Sequence, residues 1–93
     1  MDQEMPRIEI YTTATCPYCF AAKALLTARQ RSFEEISVYD PDNRARMIER
    51  ANGRRTVPQI FIDGVHIGGY DDLAALERQG RLDEILSDAT TGD

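Results

Sequence analysis

Residues 15 to 20 read TCPYCF and hold both cysteines of the chain, separated by one proline and one tyrosine. Two thiols at that spacing could form a redox couple, supply half of a metal site, or lie buried side by side. If a helix begins at Pro17, Cys16 is its N-cap, the proline fills the first helical position without wasting a donor, and Cys19 lies one turn below Cys16. Residues three apart on a helix have Cβ atoms about 5 to 6 Å apart. The backbone freedom of an N-cap brings that within reach of disulfide geometry, about 3.5 to 4.5 Å. A sulfur anion at Cys16 would accept hydrogen bonds from the amides of Tyr18 and Cys19 while facing the positive end of the helix dipole. An ordinary thiol, with a pKa of about 8.5, is only about 3% ionised at pH 7, whereas thiols at helix N-termini and in such motifs reach roughly 3.5 to 7.5. A drop of about 3 units amounts to about 4 kcal/mol of preference for the anion. Cys16 is therefore the expected nucleophile. Cys19, more enclosed within the helix, is expected to stay protonated until it resolves an intermediate as a Cys16–Cys19 bridge.

Zinc usually takes four nitrogen or sulfur ligands. The chain has no second cysteine pair, and its one histidine, His66, falls in a strand pattern, so no closed intrachain site can be assembled and no metal is expected. A structural staple also fits poorly, because a bridge across three positions closes almost no loop. His66 reads as a surface strand residue and Lys23 as a solvated helix residue.

The elements that must position this pair follow from pattern. IEIY (8 to 11) is a β-branched and aromatic run, and after TTAT the sequence FAAKALLTARQR places Phe20, Ala24, Leu25 and Ala28 at helical spacing. Phe33 to Tyr39 alternates around Ile36 and Val38, a second strand. Asp40 and Pro41 then offer an N-cap and first-turn residue for a helix to about Ala51, stopped by Gly53. VPQIFI (57 to 62) and VHI (65 to 67) flank Asp63-Gly64, a tight hairpin. Asp71 and Asp72 can cap a helix carrying Leu73 and Leu76 that closes at Gly80, and Leu82 to Leu86 fit a short last helix. The tail ATTGD is expected to be disordered. The order β-α-β-α-β-β-α, with a right-handed crossover making the first two strands parallel, predicts an α/β fold with a four-stranded mixed sheet flanked by helices. A CxxC beside a βαβ pattern is the cue for a thioredoxin-like redox fold.

Composition sets the outer bounds. The 93 residues suffice for one domain, 1–93, with its core at about 7–86. A formal net charge of −5 opposes general attraction to nucleic acid or anionic lipid. No apolar run approaches the roughly 18 residues of a membrane span, and MDQEMPR lacks the regions of a secretory signal. The expected location is the cytoplasm. Nothing in the pattern demands more than a monomer.

Three stretches at these separations, YTTATCPYC (11 to 19), RTVPQIFIDG (55 to 64) and IGGYDDL (67 to 73), resemble the signatures of the dithiol glutaredoxins of the CPYC class, in the thioredoxin superfamily. The resemblance spans roughly residues 7 to 86. It implies a thioredoxin fold and a glutathione-disulfide oxidoreductase, with glutathione as co-substrate. Glutathionylated or disulfide-bonded proteins, ribonucleotide-reductase-type targets among them, would be its partners. By the same resemblance Val57, held by a cis bond to Pro58, offers its backbone to the cysteinyl part of glutathione, with Thr56 beside it. Gly69, Tyr70 and Asp71 match the part that takes the γ-glutamyl end, and Tyr18 lies over the thiol in contact with the ligand. A potential of roughly −200 to −230 mV would let cytosolic glutathione reduce the enzyme.

Two positions depart from the family pattern. Thr13 stands where a lysine usually contacts the glycyl carboxylate, so the cation is expected from the second helix, from Arg44 first and Arg46 in reserve, within a basic group that includes Arg50, Arg54 and Arg55. Tyr70 stands where many relatives have a third cysteine. Two other readings remain beside the redox one. A glutathione-ligated iron–sulfur cluster module is disfavoured by Pro17 and the dithiol motif, and a redoxin served by a flavoprotein reductase is disfavoured by the GG-x-D-D stretch.

Overall fold

The structure is a computed structural model that describes residues 6–91, with side chains as far as Leu86. Eight elements follow one another: β1 (Ile8–Thr12), α1 (Pro17–Ala28), β2 (Glu34–Ser37), α2 (Pro41–Arg50), β3 (Gln59–Ile62), β4 (Val65–Gly68), α3 (Tyr70–Arg78) and α4 (Leu82–Thr91). The strands form one mixed sheet in the order β2-β1-β3-β4. β1 and β2 are parallel, joined through α1, while β1 with β3 and β3 with β4 are antiparallel. This is the four-stranded mixed sheet the sequence predicts.

Strand alternation divides the interior into two cores. On one face Ile8, Ile10, Ile60 and Ile62 pack with Ala22 and Leu26 of α1, Leu73 of α3, and Leu82 and Leu86 of α4. On the other, Tyr11 and Phe61 pack with Val38, Met47 and Ala51 beneath α2. On that second side the Arg50 guanidinium lies 4.1 Å from the Phe61 ring centroid and donates to the Tyr11 hydroxyl and a Glu9 carboxylate oxygen, both at 2.9 Å. Arg50, read from sequence as part of the basic group around the second helix, is thus an anchor between α2 and the sheet.

Local chemistry sets the boundaries. Asp40 accepts from the amides of Asp42 at 2.8 Å and Asn43 at 3.4 Å, and Pro41 opens α2. Asp63 and Gly64 carry φ of 51° and 82°, the pair of positive values a two-residue hairpin turn requires. Beyond the turn, Ile60 pairs with Gly68 while Phe61 pairs with His66, so Ile67 is an extra residue that bulges β4. Gly68 has φ 122°, and a Cβ there would meet the Asp72 carboxylate at 2.2 Å. Asp72 needs that space because it accepts the Gly69 amide at 2.9 Å and so closes the start of α3 from its third residue.

Three expectations change. The buried face of α1 is Cys19, Ala22 and Leu26, while Phe20 is 59% exposed and Ala24 and Ala28 face solvent. The N-cap at Cys16 turns Cys19 inward and fixes the phase one residue away from the stripe that apolarity suggested. The second strand ends at Ser37, with Val38 continuing only through its amide to the Thr12 carbonyl at 3.0 Å. The last helix runs on to Thr91, so the first three residues of ATTGD are helical, and Gly92 and Asp93 lie outside the described residues.

Candidate functional site

Cys16 is the N-cap of α1, with φ −90° and ψ 114°, and Pro17 is the first helical residue. Its sulfur accepts the Cys19 amide at 3.2 Å. The Tyr18 amide, expected as a second donor, makes no such bond. The Cys16 S–H in turn donates to the Val57 carbonyl at 3.6 Å. Both cysteines are free thiols, Cys16 half-buried and Cys19 buried at 1% exposure. Burial pushes the Cys19 thiol up to about 12, with the hydrogen bond to Cys16 adding to it, so Cys19 holds its proton through the neutral range. One sulfur is reachable and the other, one turn deeper, is kept neutral.

Val57 and Pro58 are joined by a cis peptide bond. They form, with Thr56, one wall of a cleft of about 190 Å³, and Tyr18 closes its α1 side. Gly69, Tyr70 and Asp71, at the start of α3, form the facing wall. The Tyr18 and Tyr70 rings, both lining the cleft, stack with centroids 6.1 Å apart and planes at 28°. The start of α3 and the loop before β3 therefore meet beside the N-cap sulfur, bringing backbone amides and carbonyls to one place.

The residues that the resemblance implies for glutathione gather here, whereas Arg44, expected as the replacement for the lysine missing at Thr13, does not. That residue is exposed on α2 and is absent from the cleft lining, as is Arg46. Arg50 is committed to Glu9 and Tyr11. The arginine that lines the cleft is Arg54, whose Nη1 lies 3.6 Å from Asp72 Oδ2 and whose side chain is 47% exposed. Helical spacing cannot tell which arginine of α2 faces the ligand. Arg54 lies two residues before Thr56 in the loop entering the cis bond, and that adjacency was the available signal.

Two side chains read as solvated are engaged. Lys23 pairs with Glu35 at 2.8 Å, sits 4.9 Å from the Phe20 ring centroid, and has 23% exposure, while Thr12 donates to the same Glu35 oxygen at 2.8 Å. These contacts hold the Glu35 carboxyl below its usual range, the Lys23 hydrogen bond being the larger influence. His66 is half-buried, stacked on Phe61 at 5.0 Å, with Nε2 2.7 Å from Gln59 Oε1. Burial pushes its pKa down, and Arg54 adds to this against Asp72. The Lys23–Glu35 pair joins distant segments and has no sequence signal, whereas the Asp63-Gly64 turn sets His66 opposite Phe61. Among the described residues no three His, Cys, Asp or Glu side chains converge as metal ligands. No helix among them is long and apolar enough to cross a membrane.

The profile of the Glutaredoxin family matches residues 8–67. The chain belongs to the glutaredoxin family. It is 54% identical over 83 residues to Glutaredoxin 3 of Escherichia coli (strain K12), an alignment covering 88% of this chain and 99% of that glutaredoxin. The solution structure of glutaredoxin from Brucella melitensis aligns with TM-score 0.79 at 50% identity, over 98% of this chain and 96% of that one. The crystal structure of a buckwheat glutaredoxin–glutathione complex aligns with TM-score 0.80 at 27% identity, over 90% and 79% respectively. As a glutaredoxin, the protein is a glutathione-dependent thiol oxidoreductase with a thioredoxin-like fold.

Proposed function

We propose that the protein reduces glutathione mixed disulfides through Cys16 alone and protein disulfides through Cys16 and Cys19 together. In the first reaction the Cys16 thiolate attacks the glutathionyl sulfur, the target leaves as its thiolate, and Cys16 becomes glutathionylated. A second glutathione thiolate attacks that mixed disulfide, releasing Cys16 and oxidised glutathione, so that two glutathiones supply the two electrons. In the second reaction Cys16 forms a mixed disulfide with the target. Cys19 loses its proton, displaces the target's remaining sulfur and closes the Cys16–Cys19 disulfide, which two glutathiones then reopen. The observation that carries this reading is the asymmetry of the pair: a reachable N-cap sulfur beside a cleft, and a buried thiol pushed up to about 12 one turn below.

The cleft supports a specific pose. The backbone of Val57 pairs with the cysteinyl part of glutathione, beside the sulfur it must present to Cys16. The amides at the start of α3 suit the γ-glutamyl carboxylate, and Asp71 its ammonium. Arg54, in place of Arg44, supplies the cation that Thr13 does not. A glutathione-rich cytoplasm is the setting this chemistry calls for, with the protein acting as a monomer.

A glutathione-coupled assay with a glutathionylated peptide and a disulfide-bonded protein separates the two roles. Cys16→Ser is expected to abolish both reactions. Cys19→Ser is expected to retain peptide deglutathionylation and to lose protein-disulfide reduction. Equal loss of both reactions in the two variants refutes the assignment.

A further inference from the structure

Gln59 is a fully buried amide in the first position of β3, at 0% exposure, next to the cleft wall. Its Nε2 donates to the Thr56 carbonyl at 3.0 Å and to the Thr56 hydroxyl oxygen at 3.2 Å. Its Oε1 lies 2.7 Å from His66 Nε2. An amide oxygen only accepts, so the contact requires the proton on His66 Nε2. The His66 ring has little freedom to do otherwise: it stacks on Phe61 at 5.0 Å, and the two-residue turn at Asp63-Gly64 sets it opposite Phe61, diagonal to Gln59 on the same sheet face.

This arrangement has a polarity. The Thr56 carbonyl, which only accepts, calls for the Gln59 NH2, and His66 holds the amide oxygen on the other side, so the two contacts fix one orientation. The Thr56 hydroxyl then accepts, and its own proton must point elsewhere. Thr56 lines the cleft. If the amide were reversed, its oxygen would face the Thr56 carbonyl, and the hydroxyl proton would be drawn inward to Gln59. We propose that His66 is a positioning residue which, through Gln59, leaves the Thr56 hydroxyl as a donor to a carboxylate of glutathione bound in the cleft. The inference rests on the glutathione reading above. It gives the lone histidine a task in ligand capture without contact with the ligand or the reacting sulfurs.

The tautomer is the direct readout. Imidazole ¹⁵N shifts of the wild-type protein are expected to show the Nε2–H form near neutral pH, and an Nδ1–H form overturns the proposal. In the coupled assay, His66→Phe keeps the ring on Phe61 but removes the donor. KM for a glutathionylated peptide is expected to rise about 3- to 10-fold, with kcat and the alkylation rate of Cys16 within about twofold of wild type. His66→Gln, which can present an N–H to Gln59, is expected to restore KM. In a Thr56→Val background His66→Phe should add no further rise. An unchanged KM in His66→Phe, a fall in kcat or Cys16 alkylation, or full additivity with Thr56→Val each overturns the proposal. A wild-type protein that turns over glutathione but holds the Nδ1–H form defeats this inference alone, whereas a wild type without glutathione turnover defeats the functional reading beneath it.

Discussion

The two cysteines differ by environment rather than by type. Cys16 caps a helix and touches Val57, while Cys19 is sealed at 1% exposure with its thiol pushed up to about 12. In the native protein near neutral pH, iodoacetamide is expected to alkylate Cys16 and spare Cys19, as mass spectrometry of the digested product would show. The raised value also carries a stability term. The folded state keeps the Cys19 proton where the unfolded thiol, ionising near 8.5, has lost it, so the contribution is whole below that value and declines as pH rises toward about 12. Urea unfolding at stepped alkaline pH is expected to show a shallower decline in Cys19→Ser, by on the order of 1 kcal/mol per pH unit. That Cys16, the Thr56–Pro58 stretch and Gly69–Asp71 come together was legible from sequence because a motif marks each of them. The pairing of Lys23 was not, because Glu35 is brought near only by the folded chain, while Arg54 and His66 were marked by position alone, beside the cis bond and across the hairpin.

At the scale of elements, order and pairing were legible. The change from a two-residue to a helical period marks each transition, and Asp63-Gly64 marks the turn. The face that α1 buries was not, because alanines and two leucines are spread nearly all around it and only the cap geometry fixes its phase. Nor did the run of arginines reveal that Arg50 fastens α2 to the sheet. Arg50→Met removes the partner of Glu9, whose side chain is 12% exposed, and is expected to destabilise the protein by about 2 kcal/mol in urea unfolding. The pH dependence has a definite sign. The Arg50 hydrogen bond is the largest influence holding the Glu9 carboxyl below its usual range. That stabilisation is present above the ordinary carboxylate value and is lost as pH falls through the lowered one. The gap between wild type and Arg50→Met should therefore narrow in acid.

For the whole molecule, acidic groups outnumber basic ones, while the co-substrate of the family is itself an anion. With a net charge of −5, the protein repels glutathione at long range, and Arg54 is the cation lining the point of entry. Arg54→Gln is expected to raise KM for glutathionylated peptide about 3- to 10-fold with little change in kcat. The wild-type advantage should shrink between 0.1 and 1 M salt, as the screening length falls from about 10 to about 3 Å. The fold that makes this cleft was legible as a topology. The meeting of its two walls was legible only through the family resemblance, since they come from segments on either side of the hairpin.

The stacked rings lining that cleft also make the molecule its own reporter. The chain contains no tryptophan and four tyrosines, so its intrinsic emission is phenolic, and Tyr18 and Tyr70 are half of its emitters. A guest settling between the walls must disturb that stacked pair. Occupancy should therefore be visible as a change in ultraviolet fluorescence of the unlabelled protein, and a titration with glutathione in Cys16→Ser, where no exchange can follow, would record capture apart from chemistry.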